Sequence, residues 1–452
     1  MYHAVTRKAK IRLFLTIMWP ILVTQVGYHA MNLFDTIMSG RAGTDDLAGV
    51  AIGANLWMPA FVALTGVLLA VTPIVSQLVG AGRPERIASS VMQAVYLSAA
   101  IGALVIGLGA VAVEPILDAM RLDGAVHDIA KRYLVGLSWG ILPLFVSGVI
   151  RNYFDAQGYT RVTMAIVLFA VPCNIAINYV LIFGKLGFPR MGGVGAGYAT
   201  AVTYWIVLAI SLWFCFRLDA VRGQGLFRRW PAPSLRAFKE LLSVGVPIGL
   251  SIFFEASIFA VVTLLMGSTF DTATIASHQA AITFAGMMFM LPLSISMALT
   301  ILVGFEVGAG RTADAKQYSR IGVTAAIGII AAAAVALYFN RGFVASWFTS
   351  SPDVASLTAQ FLVFVIFFQL SDAAQASLQG ALRGYKDVTV PFVTALVAYW
   401  GIGIPTGYAL SWTTLGPFGY WIGITAGLTV AAAGFAVRLR LVQRRAASAL
   451  GR

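Results

Sequence analysis

The sequence predicts an all-α integral membrane protein with twelve transmembrane helices in two pseudo-symmetric six-helix bundles. Of its 452 residues, 59% are hydrophobic and only 11% are charged, whereas soluble domains contain about 25% charged residues. The apolar residues form separate runs, each long enough to cross a bilayer core of about 30 Å as a helix. Short sequences from the first half also recur in the same order in the second half.

Twelve apolar runs are the predicted spans. Their approximate limits are 13–39, 47–78, 90–113, 130–152, 162–184, 195–217, 240–266, 275–306, 320–340, 355–381, 388–411 and 418–438. The longest polar interruption carries Pro231, Pro233 and several arginines, which favours a linker. We therefore predict an N-lobe at 1–217, a cytoplasmic linker at 218–239 and a C-lobe at 240–452.

The distribution of Lys and Arg predicts the orientation of the chain. The net charge is +13, with 31 basic residues. Seven of them fall in the loops on one side of the predicted spans, and the other 24 fall on the side that carries both termini. Because basic loops stay in the cytoplasm, both termini are expected there, in a multi-pass protein of the cell (inner) membrane. The bases form no continuous stripe, so membrane lipid is the expected partner and nucleic acid is not.

Three matches relate the two halves: Pro20 with Pro247, TPIVSQLVGAGR (72–83) with TILVGFEVGAGR (300–311), and QGYTRVT (157–163) with RGYKDVT (383–389). Each half contains six spans, an even number, so both copies insert with the same orientation. The axis that relates them is then expected to lie along the membrane normal. The glycines of each VGAGR sequence predict a tight turn after a long span.

Three acidic residues interrupt the apolar runs: Asp35 in span one, Glu255 in span seven and Asp372 in span ten. A charged side chain at this depth costs at least ~2.5–3.5 kcal/mol on insertion scales, so each acid is a functional-site hypothesis by default. For Asp35 alone, a structural hydrogen bond to another helix is the competing interpretation. The presence of two similar acids in the second half, Glu255 and Asp372, favours a functional role for Asp35.

Other polar side chains share the faces of these acids or lie in a neighbouring span: Tyr28 and Asn32 before Asp35, Gln369 and Gln375 around Asp372, and Asn174 with Asn178 in span five. Lipid cannot solvate such stripes, so they are expected to face a bundle interior or an aqueous cavity. No Lys or Arg lies at equal depth in any predicted span. An unpaired buried carboxylate must hold a proton, a metal cation or a cationic ligand, which predicts an exchanger.

Several further residues have weaker signals. Met287 and Met288 either line a permissive pocket or serve in ordinary helix packing. Asp155 and Glu306 lie near span ends and are expected to be solvated. Cys173 and Cys215 lie in apolar runs without a CxxC pattern, and no HExxH or GxSxG constellation is present, so neither an enzyme nor a bound cofactor is predicted.

The alternative function is a flippase of lipid-linked precursors, which would need basic side chains along its cavity.

Together, these features resemble the multidrug and toxic compound extrusion (MATE) family. The resemblance rests on the two six-span halves, FDTIMSG around Asp35, both VGAGR turns and IASHQAAITFAGMMFMLPLSIS in span eight. Glu255 with Asp372 is similar to the NorM branch. The resemblance implies two lobes around a V-shaped central cleft. It also implies export of bulky, often cationic drugs by antiport against H⁺ or Na⁺, and we expect a monomer.

The resemblance also implies roles for residues. Glu255 and Asp372 would form the coupling-ion site of the second lobe, and would ligate the metal if the ion is Na⁺. Asp35 with Asn174 and Asn178 would form the polar site of the first lobe. The expected substrate-binding residues are Asp35, Tyr28, Asn32, Gln369, Gln375, Met287 and Met288. Phe368 stands where some Na⁺-coupled members carry a tyrosine, so H⁺ and Na⁺ both remain open.

Overall fold

The computed structural model describes residues 3–228 and 230–450, and the regular elements in these ranges are all helical. The helices of the first half are α1 (Arg7–Ala42), α2 (Thr44–Leu68), α3 (Val71–Gly80), α4 (Pro84–Ala119), α5 (Gly124–Ser138), α6 (Ile141–Ala156), α7 (Thr160–Phe183), α8 (Gly193–Arg217) and α9 (Asp219–Arg222). Those of the second half are α10 (Leu235–Gly267), α11 (Thr272–Gly308), α12 (Thr312–Ser346), α13 (Pro352–Gly384), α14 (Thr389–Leu396), α15 (Ile404–Ser411) and α16 (Phe418–Leu450). A π-helical segment, Val397–Gly403, joins α14 to α15.

The number of spans agrees with the sequence prediction. Within the described residues, 11 helical segments are long and apolar enough to cross a membrane, and α5 with α6 makes 12 if this pair is one span bent by 47°. Gly140 lies at the bend. A Cβ atom there would come within 2.6 Å of the Ala201 Cα, so glycine permits the close approach of α6 to α8.

The chain divides into two compact units. The first unit contains Trp19–Gly249, and the second contains the residues from Leu250 onward together with the described residues before Trp19. Both divisions fall inside a helix near a proline, Pro20 in α1 and Pro247 in α10. A proline within a helix removes one backbone hydrogen bond and favours a kink at that place.

Each unit has its own apolar core. In the first unit, Met38, Val50, Tyr133, Leu137, Ile182 and Ala196 form a buried cluster. In the second unit, α13 packs against α11, α12 and α16. This central position explains why α13 is buried continuously from Gln375 to Gly384.

The two VGAGR sequences form the same turn. Gly82 and Gly310 have φ angles of +65° and +74°, and the next amides donate to carbonyls five residues back. The predicted tight turns are therefore confirmed. The second pair of matching sequences is shifted, because the left-handed residues there are Gly158 and Lys386, which are 228 positions apart. The left-handed residue of this turn therefore lies two positions later in RGYKDVT than in QGYTRVT.

Candidate functional site

The first candidate site is a hydrogen-bonded network around Asp35 of α1. The Asn178 side-chain amide donates to Asp35 Oδ1 at 2.5 Å, and the Thr200 hydroxyl donates to Asp35 Oδ2 at 3.1 Å. Asn178 also donates to Asn174 Oδ1 at 3.2 Å, and Asn174 donates to the Thr203 hydroxyl at 3.4 Å. Neutral donors therefore hold both carboxylate oxygens of Asp35.

Three helices position this network. Asn174 and Asn178 lie one turn apart on α7, which packs against α8, the helix that carries Thr200. Both asparagines are buried, and the Asn178 Oδ1 atom has no hydrogen-bond partner among the described residues. The family resemblance groups Asp35 with these asparagines, and the structure places the three side chains together. Thr200 was not predicted, because its sequence context is that of any threonine in an apolar helix.

Tyr28 and Asn32 lie toward the start of the same polar stripe on α1. Asn32 is exposed and Tyr28 is half-buried. The Arg151 guanidinium lies over the Tyr28 ring, 5.2 Å from its centroid, and Asp155 is also close enough to interact electrostatically with this arginine. Tyr28 therefore has a cationic neighbour within the first unit that the helical stripe did not predict.

The second candidate site is formed by Glu255 of α10, Asp372 of α13 and their neighbours. Asp372 is 4% exposed, and its Oδ1 atom is buried without a hydrogen-bond partner among the described residues. Glu255 is close enough to interact electrostatically with Asp372, and Gln375 lies beside the Glu255 carboxyl group. Gln375 also donates to the Tyr399 hydroxyl at 2.5 Å. Two carboxyl groups thus share one buried polar region.

Arg383 also belongs to this region. Its side chain is 7% exposed, donates to Gln379 Oε1 at 2.9 Å and interacts electrostatically with Glu255 and Tyr399. The prediction that no base lies near the buried acids was therefore wrong for Glu255. Even so, among the described residues neither Glu255 nor Asp372 forms a direct ion pair, and the same holds for Asp35.

Tyr399 lies in the π-helical segment and is 1% exposed. Single π-helical turns are rare and occur frequently at functional sites. Here the segment places the Tyr399 hydroxyl against Gln375, near both carboxyl groups. Tyr399 was not predicted as a site residue, because a tyrosine in a late span has no distinguishing spacing.

The remaining predicted residues occupy different environments. Gln369 is fully buried and donates to the Ala285 carbonyl at 2.7 Å. Met287 is 45% exposed, whereas Met288 is half-buried. Phe368 is buried and meets the rings of Phe259 and Trp421 edge-on. No described contact distinguishes a substrate role for these side chains from a packing role.

Asp155 and Glu306 are buried, so the prediction that they are solvated was wrong. Asp155 accepts a hydrogen bond from Thr163 at 2.8 Å, and Glu306 pairs with Arg311 at 2.5 Å. Glu306 also lies with His3 and Asp314 in a group whose spacing suits a metal ion. Both carboxylates of this group already pair with basic side chains, Glu306 with Arg311 and Asp314 with Lys10.

Comparison with known proteins identifies the architecture. The family model described as MatE matches residues 20–180 and 247–409, which together make up most of the chain. The chain belongs to the MatE family. The two matched segments correspond to the two halves that the sequence repeats indicated, and this membership makes the chain a membrane transporter and not an enzyme.

Several members of the MatE family are close relatives. The chain is 55% identical over 441 residues to a Halalkalibacterium halodurans protein named "Probable multidrug resistance protein NorM", covering 97% of this chain and 96% of the relative. It is 51% identical over 439 residues to a Bacillus subtilis protein of the same name, covering 97% of each. The predicted likeness to the NorM branch is confirmed.

Solved structures of the MatE family share the fold. The eukaryotic MATE transporter AtDTX14 aligns with a TM-score of 0.83 at 19% identity, covering 97% of this chain and 98% of that one. The Vibrio cholerae MATE transporter VcmN, in its bent form, aligns with a TM-score of 0.87 at 18% identity over the same shares. The predicted all-helical architecture in two related halves is therefore confirmed.

Proposed function

We propose that the chain is a multidrug exporter that exchanges bulky, often cationic organic compounds for H⁺ or Na⁺ by alternating access. One observation supports this proposal above the others. Each of the two units contains a carboxylate site that has polar neighbours but no direct ion pair among the described residues. The first site has half-buried Asp35, and the second has half-buried Glu255 with buried Asp372.

The proposed mechanism follows from electrostatics. A bare carboxylate in an apolar interior is costly, and a bound proton or cation removes that cost. An ion that enters from outside would therefore favour the state in which the acids are occupied, and its release inside would favour the state that binds drug. A ligand shifts such an equilibrium only by its difference in affinity for the two states.

Roles can be assigned within this proposal. Asp35, Glu255, Asp372, Asn174 and Asn178 bind the coupling ion, and Glu255 with Asp372 would ligate Na⁺ if sodium is that ion, because carboxylate oxygen suits a hard cation. The drug contacts Asp35, Tyr28, Asn32, Gln369, Gln375, Met287 and Met288. The protein acts as a monomer in the cell (inner) membrane, with both termini in the cytoplasm.

The number of coupling ions determines the response to voltage. Exchange of one monovalent ion for one monovalent drug cation moves no net charge. Exchange of two ions moves one charge, and that charge gains about 2.3 kcal/mol per 100 mV of membrane potential. A carboxylate site in each unit would allow two ions to bind. In the two-ion case, transport in proteoliposomes would depend on the imposed potential.

Ethidium uptake by inverted membrane vesicles tests the proposal. A pH gradient alone, a Na⁺ gradient alone and no gradient are compared, and we expect one of the two gradients to drive uptake. Asp372→Asn and Glu255→Gln should abolish that uptake, whereas Asp45→Asn, at an exposed aspartate of α2, should keep it. Uptake by the two site variants at the parental rate would contradict the proposal.

The flippase alternative receives less support. A flippase must bind phosphate, and in the part of the chain that the structure describes none of the three acids of the two carboxylate sites is directly paired with a base. The basic side chains near these sites are Arg383 by Glu255 and Arg151 over the Tyr28 ring. The relatives at 48–55% identity are moreover named as multidrug resistance proteins.

A further inference from the structure

A basic groove lies at one end of the second unit, apart from both carboxylate sites. It has a volume of about 790 Å³ and is lined by α12 and α16, with Ala374 and Leu378 of α13 between them. Lys316 and Arg320 of α12 lie on one wall, and Arg440 and Arg444 of α16 lie on the other. We call these four bases and the apolar residues beside them the basic groove.

The charge of the basic groove is one-sided. Within each pair the bases are four residues apart, which places them on one helical face. All four side chains are exposed, and no Asp or Glu is among the lining residues. In the part of the chain that the structure describes, none of the four forms an ion pair with a carboxylate. The groove therefore presents four positive charges to an external anion.

Beyond the four bases, the lining of the basic groove is mainly apolar. Val323 and Ile327 continue the α12 wall one and two turns beyond Arg320, and Ala436 and Leu439 continue the α16 wall. Ile327 is 38% exposed. An inorganic anion would use only the bases. A molecule with a phosphate at one end and a hydrocarbon chain at the other would use the whole groove.

The internal repeat argues that this charge is not simply a mark of orientation. The offset of 228 between the VGAGR turns places Lys316 opposite Ala88 and Arg320 opposite Met92 in the first half. With the same orientation proposed for both halves, α4 has no base at either place. The positive-inside tendency alone therefore does not require bases at these positions of α12.

A second groove lies beside the first. It has a volume of about 700 Å³ and is lined by α1 and α12. Lys316 and Arg320 line it too, and Arg7 of α1 adds a fifth base next to apolar Phe14 and Leu15. Lys316 and Arg320 of α12 therefore lie between two grooves, and each groove also has apolar lining residues.

We propose that the basic groove binds an anionic phospholipid of the cytoplasmic leaflet. The phosphodiester would lie between the basic pairs of α12 and α16, and an acyl chain would follow Val323 and Ile327. Basic pockets between transmembrane helices on the cytoplasmic side are known to bind such headgroups. The leaflet follows from the orientation proposed above, but binding itself does not depend on drug transport.

Native mass spectrometry of the delipidated full-length chain in detergent tests this proposal. The probes are dioleoylphosphatidylglycerol, dioleoylphosphatidylcholine and inorganic phosphate, each titrated separately. We expect saturable binding of phosphatidylglycerol, and weaker binding of phosphatidylcholine. Arg440→Gln/Arg444→Gln should lower the affinity for phosphatidylglycerol by roughly tenfold or more, because each base near an anionic lipid contributes about 1 kcal/mol.

Two further variants make the result specific. Arg222→Gln/Arg228→Gln removes the same charge from exposed positions of the first unit and should leave the affinity unchanged. Ala436→Phe fills the apolar part of the groove without any change of charge and should also weaken binding of phosphatidylglycerol. Equal losses in both arginine pairs, or inorganic phosphate that binds as tightly as phosphatidylglycerol, would overturn the proposal. Neither outcome would affect the proposed antiport, which is measured by ethidium uptake.

Discussion

Asn178 donates a hydrogen bond of 2.5 Å to the Asp35 carboxylate across 143 positions of sequence. The donor is neutral, so it orients the carboxylate without cancelling its charge. Thr200 acts in the same way on the other oxygen. An acid held by neutral donors keeps a position for an exchangeable cation, whereas an acid held by arginine is already occupied.

The first prediction concerns the charge of Asp35. Asp35→Asn keeps the shape of the side chain and an oxygen that can accept from Asn178 or Thr200, but it removes the negative charge. We expect normal folding and a fall in gradient-driven ethidium uptake of roughly tenfold or more, equivalent to at least 1.4 kcal/mol. Asp45→Asn, an exposed change of the same kind, serves as the control. Uptake by Asp35→Asn at the rate of this control would exclude Asp35 from coupling.

The second prediction separates a functional acid from a structural one. Asp372 has a buried oxygen without a partner among the described residues, whereas Asp387 accepts an ion-paired hydrogen bond from Arg438 at 2.8 Å. We expect Asp372→Asn to leave thermal stability unchanged or to raise it by up to ~2 kcal/mol, because a lone buried charge is costly.

Asp387→Asn provides the matched comparison. It removes a charge-assisted hydrogen bond and should lower stability by about 1–2 kcal/mol. Both variants are followed by thermal unfolding in detergent at neutral pH. An equal loss in the two variants would show that Asp372 has a stabilising partner, against its assignment to ion binding.

The third prediction concerns Tyr399. Tyr399→Phe removes the oxygen that accepts from Gln375 at 2.5 Å and leaves a buried amide without its partner. The expected loss of stability is ~1–3 kcal/mol, the cost of an unsatisfied buried donor. Tyr408→Phe, at a tyrosine that is 46% exposed, should change stability by less than ~0.5 kcal/mol.

A double variant tests the reason for that loss. Gln375→Leu removes the donor, so Tyr399→Phe should cost much less in its presence than in the parent. If the two losses simply add, the hydrogen bond does not account for the effect of Tyr399. The double variant should also be defective in ethidium uptake, because both side chains lie beside Glu255.

The acids of both sites could be predicted from sequence because a carboxylate in an apolar run is costly and therefore conspicuous. The hydroxyl groups near these acids, those of Thr200 and Tyr399, could not be predicted from the sequence. A threonine can satisfy its hydroxyl within its own helix, as Thr203 does with the Ala199 carbonyl, so Thr200 has no signature. Tyr399 depends on a local π-helical geometry that arises from packing rather than from residue spacing.

The basic neighbour of Glu255 was missed for a different reason. Arg383 lies two residues beyond the predicted end of span ten at 381, and a base at a span end normally reaches water. In the structure α13 continues to Gly384 and is covered by α11, α12 and α16, so the side chain stays buried. Lys386, and not Gly384, has the left-handed conformation at the following turn. Boundaries and turn register depend on such tertiary contacts, whereas the count of spans depends on composition.

The fourth prediction concerns Lys10, which fixes the start of α1 within the second unit. Its side chain is 2% exposed, and its ammonium group donates to Asp314 and Gln317. Lys10→Ala leaves the Asp314 carboxylate without this partner. Since Asp314 is 22% exposed, we expect a loss of about 2 kcal/mol, below the range for a fully buried pair. Arg132→Ala breaks an exposed pair of 3.5 Å with Asp128 and should cost less than ~0.5 kcal/mol. Unfolding of both variants in detergent measures the difference, and equal small losses would mean that solvent readily replaces the Lys10 contacts.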